Sequence, residues 1–269
     1  MVLFFMVGVI IVITSFQPKL PSSSEPKKPT ESVKTKFQTT KDFSKLAESY
    51  NQILSKTQSE FGITFIDINS REKLSINGEK SFHAASTSKP IVAVYTLKQV
   101  DQEKISLSKE IDGLPLSERL RLMINVSDNA SWESLLSFFG ITQIQGFSRS
   151  LGLSNTDHFK NTSASDDLAN FVLRLYQDSI LSGDSKNFLF KYMQNTEKED
   201  RIPAGVPQKK LVFHKAGSYN GEIHDIGIIE HPKNPFVLAI LSQGQNDLDK
   251  RPQILAEITR ASWDFADSN

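Results

Sequence analysis

HAASTSKPIVAVYTLKQV, residues 83–100, passes from small and polar residues into a long apolar run that opens at Pro90. Proline is tolerated in the first turn of a helix, and the spacing predicts a helix over 90–100. A helix places positions i and i+3 on one face, so the Lys89 amine falls within reach of the Ser86 hydroxyl. A serine has negligible alkoxide near neutrality and becomes a nucleophile only beside a base. A lysine can be that base when burial or a second cation lowers its pKa. Ser-x-x-Lys recurs at Ser24, Ser70 and Ser106, in the amino-terminal segment and in polar connections. Only Ser86 opens an apolar helix.

Outward from this stretch the pattern is regular. DFSKLAESYNQILSKTQ reads as a helix with Asp42 at its cap, and FGITFIDI and KLSI alternate as strands around the turn Asn69-Ser70-Arg71. A block of about 110 residues then carries helical spacing (LSERLRLMINVS, NASWESLLSFF, ITQIQGFSRSLG, DDLANFVLRLYQ, DSKNFLFKYMQ). LVFHKAG, EIHDIGIIE and FVLAILSQ follow as three strands, and LDKRPQILAEITRASWDFA is a terminal helix. Strands at both ends with helices between them predict an α+β fold. Its antiparallel sheet carries terminal helices, with an all-helical lobe inserted, in a three-layer α-β-α arrangement.

Two further segments carry chemistry. Ser127-Asp128-Asn129 breaks two helical patterns; alone, such a triplet is most simply a helix cap. Lys215-Ala216-Gly217-Ser218 lies on a late strand, where alone the lysine is most simply an exposed side chain. A glycine there lets another backbone approach closely, and a substrate could lie along the strand edge.

In this order, Ser-x-x-Lys at a helix start, Ser-Asp-Asn in a helical lobe and Lys-(Thr/Ala)-Gly on a late strand are the signature of penicillin-recognising serine acyl enzymes. Over roughly residues 42–266 the chain resembles class A β-lactamases and their penicillin-binding relatives. LMINVSDNASWESLL, FSRSLG, RIPAGVP and KAGSYNGEIHDIGIIEHP all look like stretches of that family, in its order. The resemblance implies Ser86 as the acylating nucleophile, Lys89 as its base, and Ser127 as a proton relay to the leaving nitrogen. It implies Asn129 on the substrate side-chain amide, Asp128 buried and holding its turn, and Lys215 on the substrate carboxylate. The N–H groups of Ser86 and Ser218 would form the oxyanion hole, beside Gly217. No metal or organic cofactor is implied.

Two departures matter. Ala216 stands where the family usually has Thr. More consequentially, class A β-lactamases carry a long Ω-loop whose Glu positions the deacylating water, and GLSNTDHFKNTSAS contains no Glu. The acyl-enzyme is therefore expected to hydrolyse slowly unless Asp157 or His158 replaces that Glu; the plain reading of both is loop polarity. The competing expectations are a class A-type β-lactamase, a peptidoglycan D-Ala-D-Ala carboxypeptidase, and a non-hydrolytic binding or sensing module. Retention of both lysines and both serines counts against the last.

The five histidines never take a zinc-like spacing, and His224 beside Asp225 reads as strand polarity rather than a catalytic dyad. Trp132 and Trp263 lie in predicted helices as packing residues. There is no Gly-x-Ser-x-Gly elbow of an α/β-hydrolase.

The 269 residues include no cysteine, which excludes disulfides, thiolate metal sites, cysteine nucleophiles and a cysteine-linked lipid. The 31 basic and 31 acidic side chains give no electrostatic reason to expect nucleic acid. That neutral total is uneven. Residues 1–16 (MVLFFMVGVIIVITSF) are uncharged, 17–41 carry six Lys and two Glu, and 42–269 are left with 25 basic and 29 acidic side chains.

Residues 1–16 are short for a membrane span and suit a signal core or short anchor, although no basic residue precedes them and no cleavage site stands out. Residues 17–41 read as a flexible Pro/Ser/Lys tether and 42–269 as the catalytic domain. The lysines of the tether would favour a cytoplasmic flank, against the export that the family resemblance implies. The expected partners are a β-lactam or peptidoglycan stem peptide, and a membrane through residues 1–16 if uncleaved. A monomer on the extracytoplasmic face of a bacterial membrane, or secreted, is expected.

Overall fold

Strand β1 shows why the sheet has two faces. Of its eight residues, Glu60–Asp67, seven are buried, and they alternate in destination. Phe61, Ile63 and Phe65 enter one apolar cluster while Ile66 enters another, the period-2 consequence of pleating. The structure, a computed structural model, describes residues 41–177 and 180–268. The anchor of 1–16 and the tether of 17–41, Lys41 apart, lie outside the described residues.

In chain order the elements begin with α1 (Ser44–Leu54), β1, β2 (Lys73–Ile76) and β3 (Phe82–His83). A 3₁₀ turn (Ala85–Ser88) leads into α2 (Lys89–Asp101), followed by the short β4 (Glu110–Ile111) and β5 (Leu114–Pro115). The helical lobe continues with α3 (Leu116–Asn125), α4 (Asn129–Phe139), α5 (Ile141–Ser150), β6 (Thr162–Ser163), α6 (Ser165–Gln177) and α7 (Gly183–Tyr192). Strands β7 (Val212–Tyr219), β8 (Glu222–Ile229) and β9 (Phe236–Gln243) and helix α8 (Arg251–Ser268) complete the chain.

The main sheet runs β2-β1-β9-β8-β7, antiparallel throughout, so the first long strand pairs with the last (Ile63 opposite Ile240). On one face α1 and α8 cover Phe61, Ile63, Phe65, Phe236, Leu238 and Ile240 with Leu46, Tyr50, Leu255 and Ile258. On the other, α6 packs on β1, β8 and β9, whose Ile226, Ile228, Val237, Ala239 and Leu241 share an apolar cluster with residues of α2 and α6. This is the expected α+β, three-layer arrangement. Helix α2 is the axle of the lobe: Ile91, Val92, Ala93, Val94 and Leu97 are all buried, which explains why its sequence has no polar face.

Local differences have local causes. Asp42 does not occupy the cap of α1; Phe43 does, and Asp42 Oδ1 accepts the Ser44 N–H at 2.9 Å. The pairs β3·β6 and β4·β5 are two residues long, too short to leave an alternation in the sequence. The first of them matters, because Phe82 opposite Ser163 and His83 opposite Thr162 bring the loop before α6 against the residues preceding Ser86.

Candidate active site

Ser86 stands in the 3₁₀ turn that feeds α2, directly after Ala85, a non-glycine residue held in the left-handed region (φ 49°). Such a backbone is unfavourable and persists only where its surroundings over-determine it. Here they do. His224 on β8 donates from Nε2 to the His83 carbonyl at 2.8 Å, while its Nδ1 accepts the Ser242 N–H at 3.0 Å. The two bonds fix the neutral tautomer, and burial holds the His224 pKa down at about 4. Behind the turn, Asn161 donates from Nδ2 to the Ala85 carbonyl at 3.1 Å and its Oδ1 accepts from the Ser88 hydroxyl at 2.8 Å. In front lies β7. A Cβ at Gly217 would stand 2.9 Å from the Ser86 nitrogen and 3.1 Å from that of Thr87. Only glycine lets strand and turn meet this closely.

Lys89 and Lys215 converge on Ser127 from opposite sides. Lys215 donates to the Ser127 hydroxyl at 2.8 Å and to its neighbour's carbonyl, Ala216 O, at 2.9 Å. Lys89 donates to the Ser127 carbonyl at 2.5 Å, to Asn129 Oδ1 at 2.7 Å and to the Asp128 carbonyl at 3.3 Å. The expected contact from Lys89 to Ser86 is replaced by these, because three acceptor oxygens of the α3–α4 junction satisfy the ammonium. Both amines are 2% exposed. Burial first, and for Lys215 the neighbouring Lys89 cation second, lowers their pKa values to about 8 for Lys89 and about 7 for Lys215. Two amines lowered by burial therefore hold one serine, Lys215 at its hydroxyl and Lys89 at its carbonyl.

The junction that presents Ser127 is itself strained and capped. Ser127 has φ 62°, and Asp128 Oδ2 accepts the Ser131 N–H at 2.6 Å as the N-cap of α4. Asp128 is half-buried rather than buried, yet it holds the turn as expected. The cap reading of Ser-Asp-Asn therefore holds, and the capped turn is what presents Ser127.

Ser86, Ser127 and Asn129 line a cleft of about 210 Å³ together with Ala216, Gly217 and Ser218 of β7 and with Glu197, Lys198 and Arg201 of the segment before it. Arg201 was not singled out from sequence, where it is one arginine after two acidic residues. It is 3% exposed and donates from Nη1 to Gly217 O (2.7 Å) and His224 O (2.6 Å), and from Nη2 to Ser218 Oγ (2.5 Å). It adds a third buried cation behind the catalytic edge.

Asp157 and His158 are engaged away from this cleft. Asp157 Oδ1 accepts from the N–H groups of Phe159 and Lys160 at 2.9 and 3.1 Å, closing its own turn. His158 is 3% exposed, its Nε2 lies 2.8 Å from Ser148 Oγ on α5, and burial lowers its pKa to about 4. The loop residue that does reach the Ser86 turn is Asn161, a signal hidden in sequence among other polar loop residues. Among the described residues no cluster of His, Asp and Glu is arranged to hold a metal ion.

The model of the beta-lactamase enzyme family matches residues 45–266. Among individual proteins, Beta-lactamase 3 of Bacillus cereus is 26% identical over 255 residues, covering 81% of this chain and 78% of that one. A beta-lactamase of Citrobacter koseri is 27% identical over 233 residues, covering 72% and 79%. Among solved structures, an ancestral class A beta-lactamase superposes with a TM-score of 0.76 at 24% identity, over 81% of this chain and 99% of that one. PBP-A superposes with a TM-score of 0.76 at 23% identity, over 84% and 97%. These structures share the fold.

Proposed function

The chain belongs to the beta-lactamase enzyme family, and from that premise we propose that it is a serine hydrolase opening the β-lactam amide through a covalent acyl-enzyme on Ser86. The observation that carries this is the pair of buried lysines bonded to Ser127, which shares its cleft with Ser86. In the first step Ser86 Oγ attacks the lactam carbonyl carbon, and its proton passes to whichever amine of the Lys89–Ser127–Lys215 network is neutral. The N–H groups of Ser86 and Ser218 receive the developing oxyanion, where one such donor is typically worth about 3–4 kcal/mol. As the C–N bond breaks, Ser127 gives its proton to the lactam nitrogen and regains one from Lys215 or Lys89. Arg201 and Lys215 face the end of the cleft suited to the substrate carboxylate, and Asn129 the side-chain amide.

Hydrolysis of the ester then needs a base for water. The only carboxylate of the loop before β6, Asp157, is spent on its own turn, and His158 points to α5. The acyl-enzyme is accordingly long-lived. That same feature supports the second reading, a peptidoglycan D-Ala-D-Ala carboxypeptidase that acylates readily with penicillin and releases it slowly. Residues 42–269 are the catalytic body in both readings. Export, with residues 1–16 as anchor or signal, belongs to the same proposal, since both substrates are extracytoplasmic; no helix among the described residues is long and apolar enough to cross a membrane.

Mass spectrometry of the protein mixed with penicillin, beside Ser86→Ala, tests the proposal. A penicilloyl adduct that persists for minutes on wild type and is missing from the variant is expected. Adduct on Ser86→Ala, or none on wild type, overturns it. Release of D-Ala from a stem peptide faster than nitrocefin turnover decides for the second reading.

A further inference from the structure

His214 precedes Lys215 on β7, and strand alternation sends their side chains to opposite faces. The ring is enclosed, with a side chain 1% exposed, and both nitrogens meet carboxylates. Nδ1 lies 2.9 and 3.0 Å from the two oxygens of Asp225 on β8, and Nε2 lies 3.2 Å from Glu199 Oε1 and 3.1 Å from Thr196 Oγ1. A carboxylate accepts only, so where Nε2 bonds to Glu199 rather than accepting from the Thr196 hydroxyl, the ring donates at both nitrogens and is an imidazolium. Burial opposes that charge, but the two carboxylates outweigh it and raise the pKa to about 9.

The partners of this cation are the wall of the cleft. The segment from Thr196 to Ile202 carries Glu197, Lys198 and Arg201. It is tied to the sheet at one end by Glu199 and Thr196 on His214, and at the other by the Ile202 N–H on Asp225 Oδ2 at 3.1 Å. The other charged groups around the ring are Arg201, which faces Asp225, and Lys215 on the far side of the strand. Without a cation between them, Glu199 and Asp225 would repel, and the wall would lose its Glu199 tie while Arg201 and Ile202 keep theirs.

We propose that His214 is a positioning residue for acylation: by bridging Glu199 and Asp225 it holds the Thr196–Arg201 wall against β7, so that Arg201 and Lys215 meet the substrate carboxylate in a fixed geometry. This rests on the cleft being the acyl site. The clamp acts through Arg201 and Lys215 and does not touch the reacting atoms, so it governs how well a carboxylate-bearing substrate is held more than how fast Ser86 reacts once it is bound.

Glu199→Gln on the full chain is the test, because it keeps a side-chain oxygen to accept from Nε2 while removing one charge. NMR of the ring should find its titration moved from about 9 toward the ordinary value near 6.5. The nitrocefin concentration that half-saturates acylation, taken as a ratio to wild type at each pH, should rise about tenfold in step with that titration, with the limiting acylation rate within about threefold. His214→Gln should show the raised ratio at every pH from 6 to 8, shrinking toward 9 as the wild-type ring loses its own proton. A ratio blind to the titration of the ring, or a His214→Gln protein with wild-type half-saturation, overturns the proposal. If His214→Gln does not fold, Glu199→Gln decides alone. Absence of any Ser86 adduct in wild type overturns the acyl-site reading and this proposal with it, whereas normal adduct formation with an unresponsive ratio overturns this proposal only.

Discussion

Lys215 and Ser127 are joined by a hydrogen bond of 2.8 Å between ammonium and hydroxyl, and the opposite side of the same serine, its carbonyl, is held by Lys89. In the mechanism proposed above, this network is what receives the proton of Ser86.

The acylation rate should follow the charge of that network. At pH 5 both amines are protonated and neither can accept the proton of Ser86. As pH rises through the values of about 7 and about 8, one and then both become neutral. The first loss, at Lys215, supplies a neutral amine beside Ser127, and the second, at Lys89, removes the last ammonium of the pair. The second-order acylation constant should thus be bell-shaped with its maximum between 7 and 8, falling about tenfold per pH unit on the acid side. A flat profile from pH 5 to 8 in stopped-flow nitrocefin kinetics would contradict this.

Gly217→Ala should impair acylation out of proportion to its size. Its Cβ would lie 2.9 and 3.1 Å from the backbone nitrogens of Ser86 and Thr87, which cannot swing aside as a side-chain tip can. Forcing strand and turn apart costs about 1–3 kcal/mol, a figure typical of overpacking. It also pulls apart the two backbones that would share the oxyanion. Nitrocefin acylation should drop at least tenfold while the melting temperature moves only a few degrees.

Asp128→Ala removes the N-cap of α4 and should lower stability by about 1 kcal/mol. The same turn holds Ser127 at φ 62° and supplies all three acceptors of Lys89, so activity should fall with stability. Asp128→Asn, which can still cap, should restore most of both. Denaturant midpoints measured beside acylation rates will separate this from a simple charge effect.

Acid should destabilise the protein well before its carboxylates are neutralised. His158 and His224 are buried and neutral, with folded pKa values of about 4 against roughly 6.5 when unfolded. Between those values the unfolded chain binds more protons, so stability falls as pH drops from 6.5 to 4, by roughly 3 kcal/mol for each ring. His214 has the opposite sign. Its raised pKa stabilises the fold fully below 6.5, and that contribution is lost as pH climbs toward 9. His158→Gln should remove about half of the loss between pH 6.5 and 4; an unchanged loss in urea titrations at both pH values would refute the assignment.

Much of this fold is legible in the chain because β1, β8 and β9 are apolar on both faces and the helices keep their 3.6-residue spacing. Ser86, Lys89, Ser127 and Lys215 were legible for a different reason, a conjunction of three short motifs in one order. What sequence could not supply was direction. The i, i+3 spacing put Lys89 on Ser86, but the side chain crosses to another segment where three oxygens await it. His224 stood beside Asp225 in the chain, yet Asp225 pairs with His214, because neighbours on a strand point to opposite faces. Arg201 opens the family-like stretch RIPAGVP, but its contacts were not readable there, since they come from a loop folding back on β7 and β8.

The pairing of β1 with β9 has a consequence for the order in which the molecule is made. When β1 leaves the ribosome, its only strand partner is the four-residue β2, and the edge destined for β9 stays open until residue 243 has been synthesised. The Ser127–Lys215 bond, which closes over 88 residues, must wait almost as long. A chain released early therefore holds Ser86 without Lys215, Gly217 and Arg201 around it. Acylating power is acquired in the last quarter of synthesis, together with the strands that close the sheet.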